Sequence, residues 1–462
     1  MTERIPRTVF VATLLLAIAG LVYAAYSRPG YFTSQTYLSG LVFLECVIAA
    51  AWMYRRAFFP LMLVTFLLAG LNLSVGRGWA SARWFVLGIG ALIGLILVLK
   101  DRRRDFGFFH LAAFFMVLTA VISAAVSKYP DIALLKVLSL LLLFVYAATG
   151  ARLAATGREY SFFSALLIGC EIFVGLNAAF YALGVQAMGN PNSLGAVMAL
   201  VAPILLWGVL LARERFVYHR KLVLYAICIC LAFWSHARAG IAAALLSSAL
   251  LCLAARKYKL LLQGTTLLIV VIAIVALVRP NTVSSLTSFV VYKNGSRDIL
   301  ASRISPWQEA ADNIRDHPWF GMGLGTTNAN AVPDQDDPAV TMSSGATAEH
   351  GSSYLAIVAG VGIVGTIPAA ILLLVLVTKV VRVLRSVYSS RSVAHPATML
   401  AIVMISGIIH ASFEDWMFAP GSYLCVFFWS LAFVFNDLVT PLPRVDFNWN
   451  LRATGAAALS RP

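Results

Sequence analysis

Residues 352–379 read SSYLAIVAGVGIVGTIPAAILLLVLVTK, with no charged side chain before the closing Lys379. An α-helix rises ~1.5 Å per residue, so about 20 apolar residues cross the ~30 Å hydrocarbon layer of a bilayer. This segment is long enough to do so. Similar stretches recur at about 8–26, 36–54, 58–75, 84–99, 107–126, 131–148, 161–183, 193–212, 221–237, 239–255, 259–278, 397–412 and 421–437. None alternates as the strands of an outer-membrane barrel do, so the spans are helical. The chain is 60% hydrophobic and 12% charged, where a soluble domain is about 25% charged. The expected fold is an all-α polytopic membrane protein of about 12–14 transmembrane helices, twelve if some short segments are re-entrant. Thr8 to Tyr26 is long and lacks a small-x-small cleavage site, and is expected to be a retained first helix.

The net charge of +15 is a topology signal. With the N-terminus inside, the inner loops and both termini hold 24 of the 35 basic residues. The short outer loops hold Arg28, Arg77, Arg83, Lys128 and Arg238. This positive-inside bias predicts both termini in the cytoplasm, and no basic stripe points to nucleic acid. The six cysteines all fall in apolar stretches and form neither a disulfide nor a metal pattern. Four regions follow: a bundle at 1–278, an extracytoplasmic loop at 279–351, further spans at 352–437 and a cytoplasmic tail at 438–462.

Within the loop, Ser305-Pro306-Trp307-Gln308 has the form of a helix start, with Ser305 as N-cap, Pro306 at the first helical position and Gln308 closing a capping box. Trp307, Ala310, Ala311 and Ile314 then share a face, and His317-Pro318 ends the helix. Gly321, Gly323 and Gly325 form a turn-rich stretch where backbone can approach a ligand closely. The polar run Ala331 to Ala348 is expected to be a mobile lid. Its acids Asp334, Asp336 and Asp337 lack the rest of an oxygen-ligand site, and no metal is expected.

Basic residues on the outer side go against the topology bias and need another reason. Arg238 lies between two short spans, Arg303 precedes the loop helix, and His350 stands where the loop enters the next span. Taken singly, these read as an interfacial anchor, a solvated charge and a structural histidine. Together, two guanidiniums suit a diphosphate, which they bind bidentately, and an imidazole suits proton abstraction near neutral pH. Glu414 and Asp415, in another outer loop, are placed to assist His350. Arg77, beside Gly78-Trp79, is a candidate for core phosphates. Lys136, Glu45 and Glu171 lie inside apolar spans, where an unpaired charge is expensive, so each requires a partner.

Gly189-Asn190-Pro191-Asn192-Ser193-Leu194-Gly195, then Ser235 to Gly240, Arg303 with Trp307, Pro318 to Gly325, His350, and Gly362 to Gly365 occur in an order that resembles the O-antigen ligase and polymerase superfamily. The resemblance covers roughly Gly189 to Gly365 and implies a GT-C-like, periplasmic, inverting and metal-independent glycosyltransferase. It implies a donor glycan on undecaprenyl diphosphate, a lipid A–core acceptor, no cofactor and a place in the bacterial inner membrane; a monomer is expected. It assigns His350 as base and Arg238 and Arg303 to the diphosphate, with Trp307, Asn192, Arg77 and Asp415 lining the substrate. Alternatives are an O-antigen polymerase, a protein O-oligosaccharyltransferase and, from another class, a secondary transporter.

Overall fold

The computed structural model describes residues 87–88, 90–91, 95, 106–151, 157–184, 188, 191–278, 301–326, 351–420 and 422–439. Their regular structure is helical: α1 (Phe108–Val126), α2 (Pro130–Tyr146, continued by a π turn at Ala147–Ala151), α3 (Glu159–Ala182), α4 (Pro191–Leu211), α5 (Arg215–Trp234), α6 (Arg238–Ala254), α7 (Tyr258–Val278), α8 (Ala301–Asp316), α9 (Ser353–Ser390), α10 (Pro396–Ala411) and α11 (Tyr423–Val439). Among the described residues, α1 to α5 and α9 are long and apolar enough to cross a membrane, and α6, α7, α10 and α11 are shorter apolar helices. These ten match the ten spans expected from residue 107 onward. The four expected earlier lie outside the described residues, apart from a few helical positions between 87 and 95.

The core forms around α4, which is almost wholly buried and packs against α5, α6 and α10. Leu138, Ile168, Ile172, Leu262 and Leu267 point outward and are exposed. Such a surface suits hydrocarbon rather than water, so the chain is an all-α polytopic membrane protein. Pro130 and Pro396 begin α2 and α10 where a missing N–H costs nothing. His395 caps α10 by accepting the Ala397 N–H at 3.2 Å. The α5 helix starts at Arg215, earlier than the expected Lys221. Glu171 of α3, itself buried, pairs with Lys221 at 3.1 Å and Arg220 at 3.3 Å. This answers the partner question for Glu171, while Glu45 lies outside the described residues.

The helix that opened the sequence reading is not continuous. At Gly362 the backbone of α9 turns to φ 66°, ψ −175°, a region only glycine occupies readily. The break frees peptide groups at membrane depth, and the segment after α8 satisfies them. The N–H groups of Met322 and Gly323 donate to the carbonyls of Ala359 and Gly360 at 3.0 and 2.9 Å. In return, the N–H groups of Ile363 and Val364 donate to the carbonyls of Pro318 and Trp319 at 2.9 and 3.2 Å. From α1, Ser123 Oγ adds a 2.7 Å bond to the Gly360 carbonyl. Irregular backbone is tolerated in a membrane where other protein groups pair it, as here.

A Cβ on Gly362 would collide with the Trp319 carbonyl. We therefore predict that Gly362→Ala lowers stability by about 1–3 kcal/mol from backbone strain alone, more with the clash. Thermal unfolding in detergent should show a clear downward shift in midpoint. An unchanged midpoint would mean the break does not need glycine.

Candidate functional site

Arg303, Trp307 and Gly351 meet at one end of the bundle, joined by the turn after α10. The Arg303 guanidinium forms an ion pair with Glu414 through Nη2, and each of the two side chains is only 17% exposed. That shielding makes the pair stronger than a solvated one. It leaves the other guanidinium N–H groups for further acceptors, since Arg carries five. One turn along α8, Trp307 Nε1 donates to the Gly351 carbonyl at 3.3 Å. Gly351 is buried at φ 64°, and a Cβ there would lie 3.3 Å from both Arg303 Cδ and Trp307 Nε1.

The sequence-based start of α8 needs correcting. The helix begins at Ala301, with Pro306 inside it, rather than at Ser305. The added turn carries Arg303, and its bond to Glu414 anchors that turn against the preference of the pre-proline residue for extended backbone. The buried face also differs: Ala310 and Asn313 are buried while Ala311 is exposed. The helix ends at Asp316, before His317-Pro318, as expected.

The glycine-rich segment after α8 packs against protein. A Cβ on Gly321 would lie 2.5 Å from the Gly360 carbonyl and the Gly362 nitrogen. A Cβ on Gly325 would lie 2.6 Å from Lys136 Cδ. The backbone approach expected for a ligand is thus taken up by α9 and by the Lys136 side chain. From α2, Lys136 Nζ donates to the Gly325 carbonyl at 2.6 Å and lies within electrostatic reach of Asp415. At the end of α1, Ser127 Oγ donates to the Met322 carbonyl at 2.5 Å.

Arg238 is the first residue of α6 and half-buried. A cation at a helix N-terminus opposes the helix dipole, so its position there enhances a local field that attracts anions. The turn before it is held by Ser235, whose Oγ donates to the Ala232 carbonyl at 2.6 Å and accepts the Ala237 N–H at 3.2 Å. The two glycine-containing motifs meet here. A Cβ on Gly240 would lie 2.6 Å from the Gly195 carbonyl, and one on Gly195 would lie 2.6 Å from Ser235 Oγ. Asn192, in the first turn of α4, and Arg238 both lie just N-terminal to that crossing. His350, Arg77 and the acidic run Asp334 to Asp337 lie outside the described residues.

Sequence reasoning missed Ser353. Its Oγ donates to the Glu414 carbonyl at 2.7 Å and accepts the N–H groups of Trp416 and Met417 at 3.1 and 3.0 Å. These bonds use the hydroxyl's full capacity of one donor and two acceptor positions, and they shape the turn that carries Glu414. The same turn is fastened below by Trp416 Nε1, which donates to the buried His410 Nδ1 at 2.8 Å. Ser353 lies in the His350 motif, but nothing in its spacing signals a partner 61 residues away. Ser353→Ala would strand buried amides at about 1–3 kcal/mol each. We expect a lower unfolding midpoint and a weakened hold on Glu414. A variant with wild-type stability would contradict that role.

Residues 223–370 match the family model described as O-antigen ligase. The matched region starts within α5 and ends in α9 past the Gly362 break. It includes Arg238, Arg303, His350 and Gly351, and excludes the Gly189–Gly195 motif and the Glu414 turn. A search of curated proteins found no match. The likeness of this polytopic chain to the O-antigen ligase family thus rests on residues 223–370.

Proposed function

We propose that the protein is an O-antigen ligase of the bacterial inner membrane. In this reading it transfers O-antigen polysaccharide from undecaprenyl diphosphate to a sugar hydroxyl of lipid A–core at the periplasmic face, with no metal or other cofactor. The family whose model matches residues 223–370 consists of glycosyltransferase-like enzymes of glycan processing, which favours transfer over transport. The observation that carries the reading is the seat of Gly351. Gly351, which follows the proposed base His350 in the sequence, rests against Arg303 and Trp307 of the proposed anion site.

The chemistry is a single displacement. The donor lies with its prenyl chain in the outer leaflet and its diphosphate against Arg238 and Arg303, with Asn192, Arg77 and Asp415 as further lining residues. His350 takes the proton of the acceptor hydroxyl. The hydroxyl oxygen attacks the anomeric carbon on the face opposite the leaving group. The carbon–oxygen bond to the diphosphate breaks, its electron pair leaves on undecaprenyl diphosphate, and the anomeric configuration inverts. The two fixed guanidiniums stabilise the charge that grows on the leaving group, the task a divalent cation performs in other diphosphate chemistry. No nucleotide is required, because the diphosphate already activates the sugar. Glu414 orients the Arg303 fork.

Reconstitution with lipid-linked glycan and lipid A–core, followed by anomeric analysis of the product, tests the reaction. Loss of a general base costs about 10²- to 10⁴-fold in rate. His350→Ala is therefore expected to insert normally but leave lipid A–core uncapped in cells, and normal long-chain lipopolysaccharide would falsify that role. Arg303→Lys should recover little activity, because Lys lacks the fork that grips both Glu414 and a phosphate. Full recovery would reduce Arg303 to a simple point charge. A deletion strain should accumulate polymerised lipid-linked glycan, whereas a single repeat on the core would indicate a polymerase instead.

A further inference from the structure

Lys136 is the cationic side chain of α2, and the proposed chemistry does not use it. It stands in the second turn of an apolar helix, where a charge is costly unless it has a task. Its ammonium donates to the Gly325 carbonyl at 2.6 Å, and its stem fills the space that any side chain at Gly325 would need. Asp415 lies within its electrostatic reach. The adjacent residue, Glu414, holds Arg303. Two neighbouring acids on one short turn thus act on two cations from different elements: Glu414 pairs with Arg303 of α8, and Asp415 is within electrostatic reach of Lys136 of α2. The same glycine segment is bonded into the α9 break through Met322 and Gly323.

We infer that Lys136 is a positioning residue: it ties the glycine segment to the acidic turn, and through Glu414 it sets the orientation in which Arg303 meets an anionic ligand. This inference rests on the transfer reading for its ligand, a prenyl diphosphate, but not for its geometry. Lys136 does not touch the reacting atoms in this account. Its ammonium supplies a fixed point inside the membrane helix bundle that neither the glycine segment nor the turn after α10 possesses alone.

The test compares Lys136→Met and Asp415→Asn with wild type. The exposed Lys128→Met removes a charge at the same end and serves as control. Hydrogen exchange of the backbone at 318–326 and 412–417 should accelerate in Lys136→Met by about tenfold, as expected when a charged hydrogen bond is lost. The KM for lipid-linked donor should rise by about the same factor, with the larger effect on KM than on kcat. Asp415→Asn, which keeps the Gly325 bond, should move KM in the same direction and guards against a Lys136→Met protein that fails to fold. Lys128→Met should change neither measurement. Unaltered exchange overturns the inference. Faster exchange with unchanged KM also overturns it, because Lys136 would then be structural only. If wild-type protein makes no product from the lipid-linked donor, the transfer reading fails. Binding of undecaprenyl diphosphate to the same variants, measured by native mass spectrometry, then decides the role of Lys136: weaker binding supports it and equal binding refutes it.

Discussion

A helix in hydrocarbon cannot stop hydrogen bonding partway along unless another part of the chain takes over its peptide groups. That constraint organises the described part of this protein. The turn of α9 at Gly362 opens its ladder, and residues 318–323 close it again with four backbone bonds. The segment that does so is covalently joined to α8 and held from the other side by Ser127 and Lys136. The break thus determines where Arg303 and Trp307 stand relative to the start of α9, and α9 begins two residues after Gly351 in turn.

Around this frame, charge is handled by pairing. Each buried ionic contact joins elements distant in sequence: Glu171 with Lys221, and Arg303 with Glu414 across 111 residues. Breaking one member of such a pair leaves an uncompensated charge and is far more damaging than removing a surface pair. The Glu414 turn is correspondingly well fixed. Ser353 satisfies three of its backbone groups, and the Trp416–His410 bond fastens it to α10. Rigid support of this kind is what preorganised electrostatic stabilisation requires.

The spans were legible in the sequence because an apolar run of membrane length leaves few alternatives, and ten of them recur as helices. Arg303 also stands out as a basic residue on the outer side, Trp307 by its helix face and its spacing from Arg303, and Glu414 as an acid in an outer loop. The details that escaped are those decided by partners far along the chain. Glu414 holds the turn of α8 that carries Arg303, Glu171 pairs with Arg220 and Lys221 of α5, and the glycines at 321 and 325 pack against α9 and Lys136. Local pattern cannot distinguish a glycine that admits a ligand from one that admits another helix, because both need the same missing Cβ. Lys136 was recognisable as a charge in need of a partner, but its link to a carbonyl 189 residues away was not.

The central claim is that guanidinium groups and an imidazole converge at the α8 end of the bundle on a prenyl-linked diphosphate. An electron cryomicroscopy map of the full chain in a lipid nanodisc with bound undecaprenyl diphosphate tests it most directly. The account predicts diphosphate density within hydrogen-bonding distance of Arg303 and Arg238, with the His350 ring facing it and the prenyl chain running into lipid. Diphosphate density at the opposite end, or His350 turned away from a pocket that contains both arginines, would contradict it.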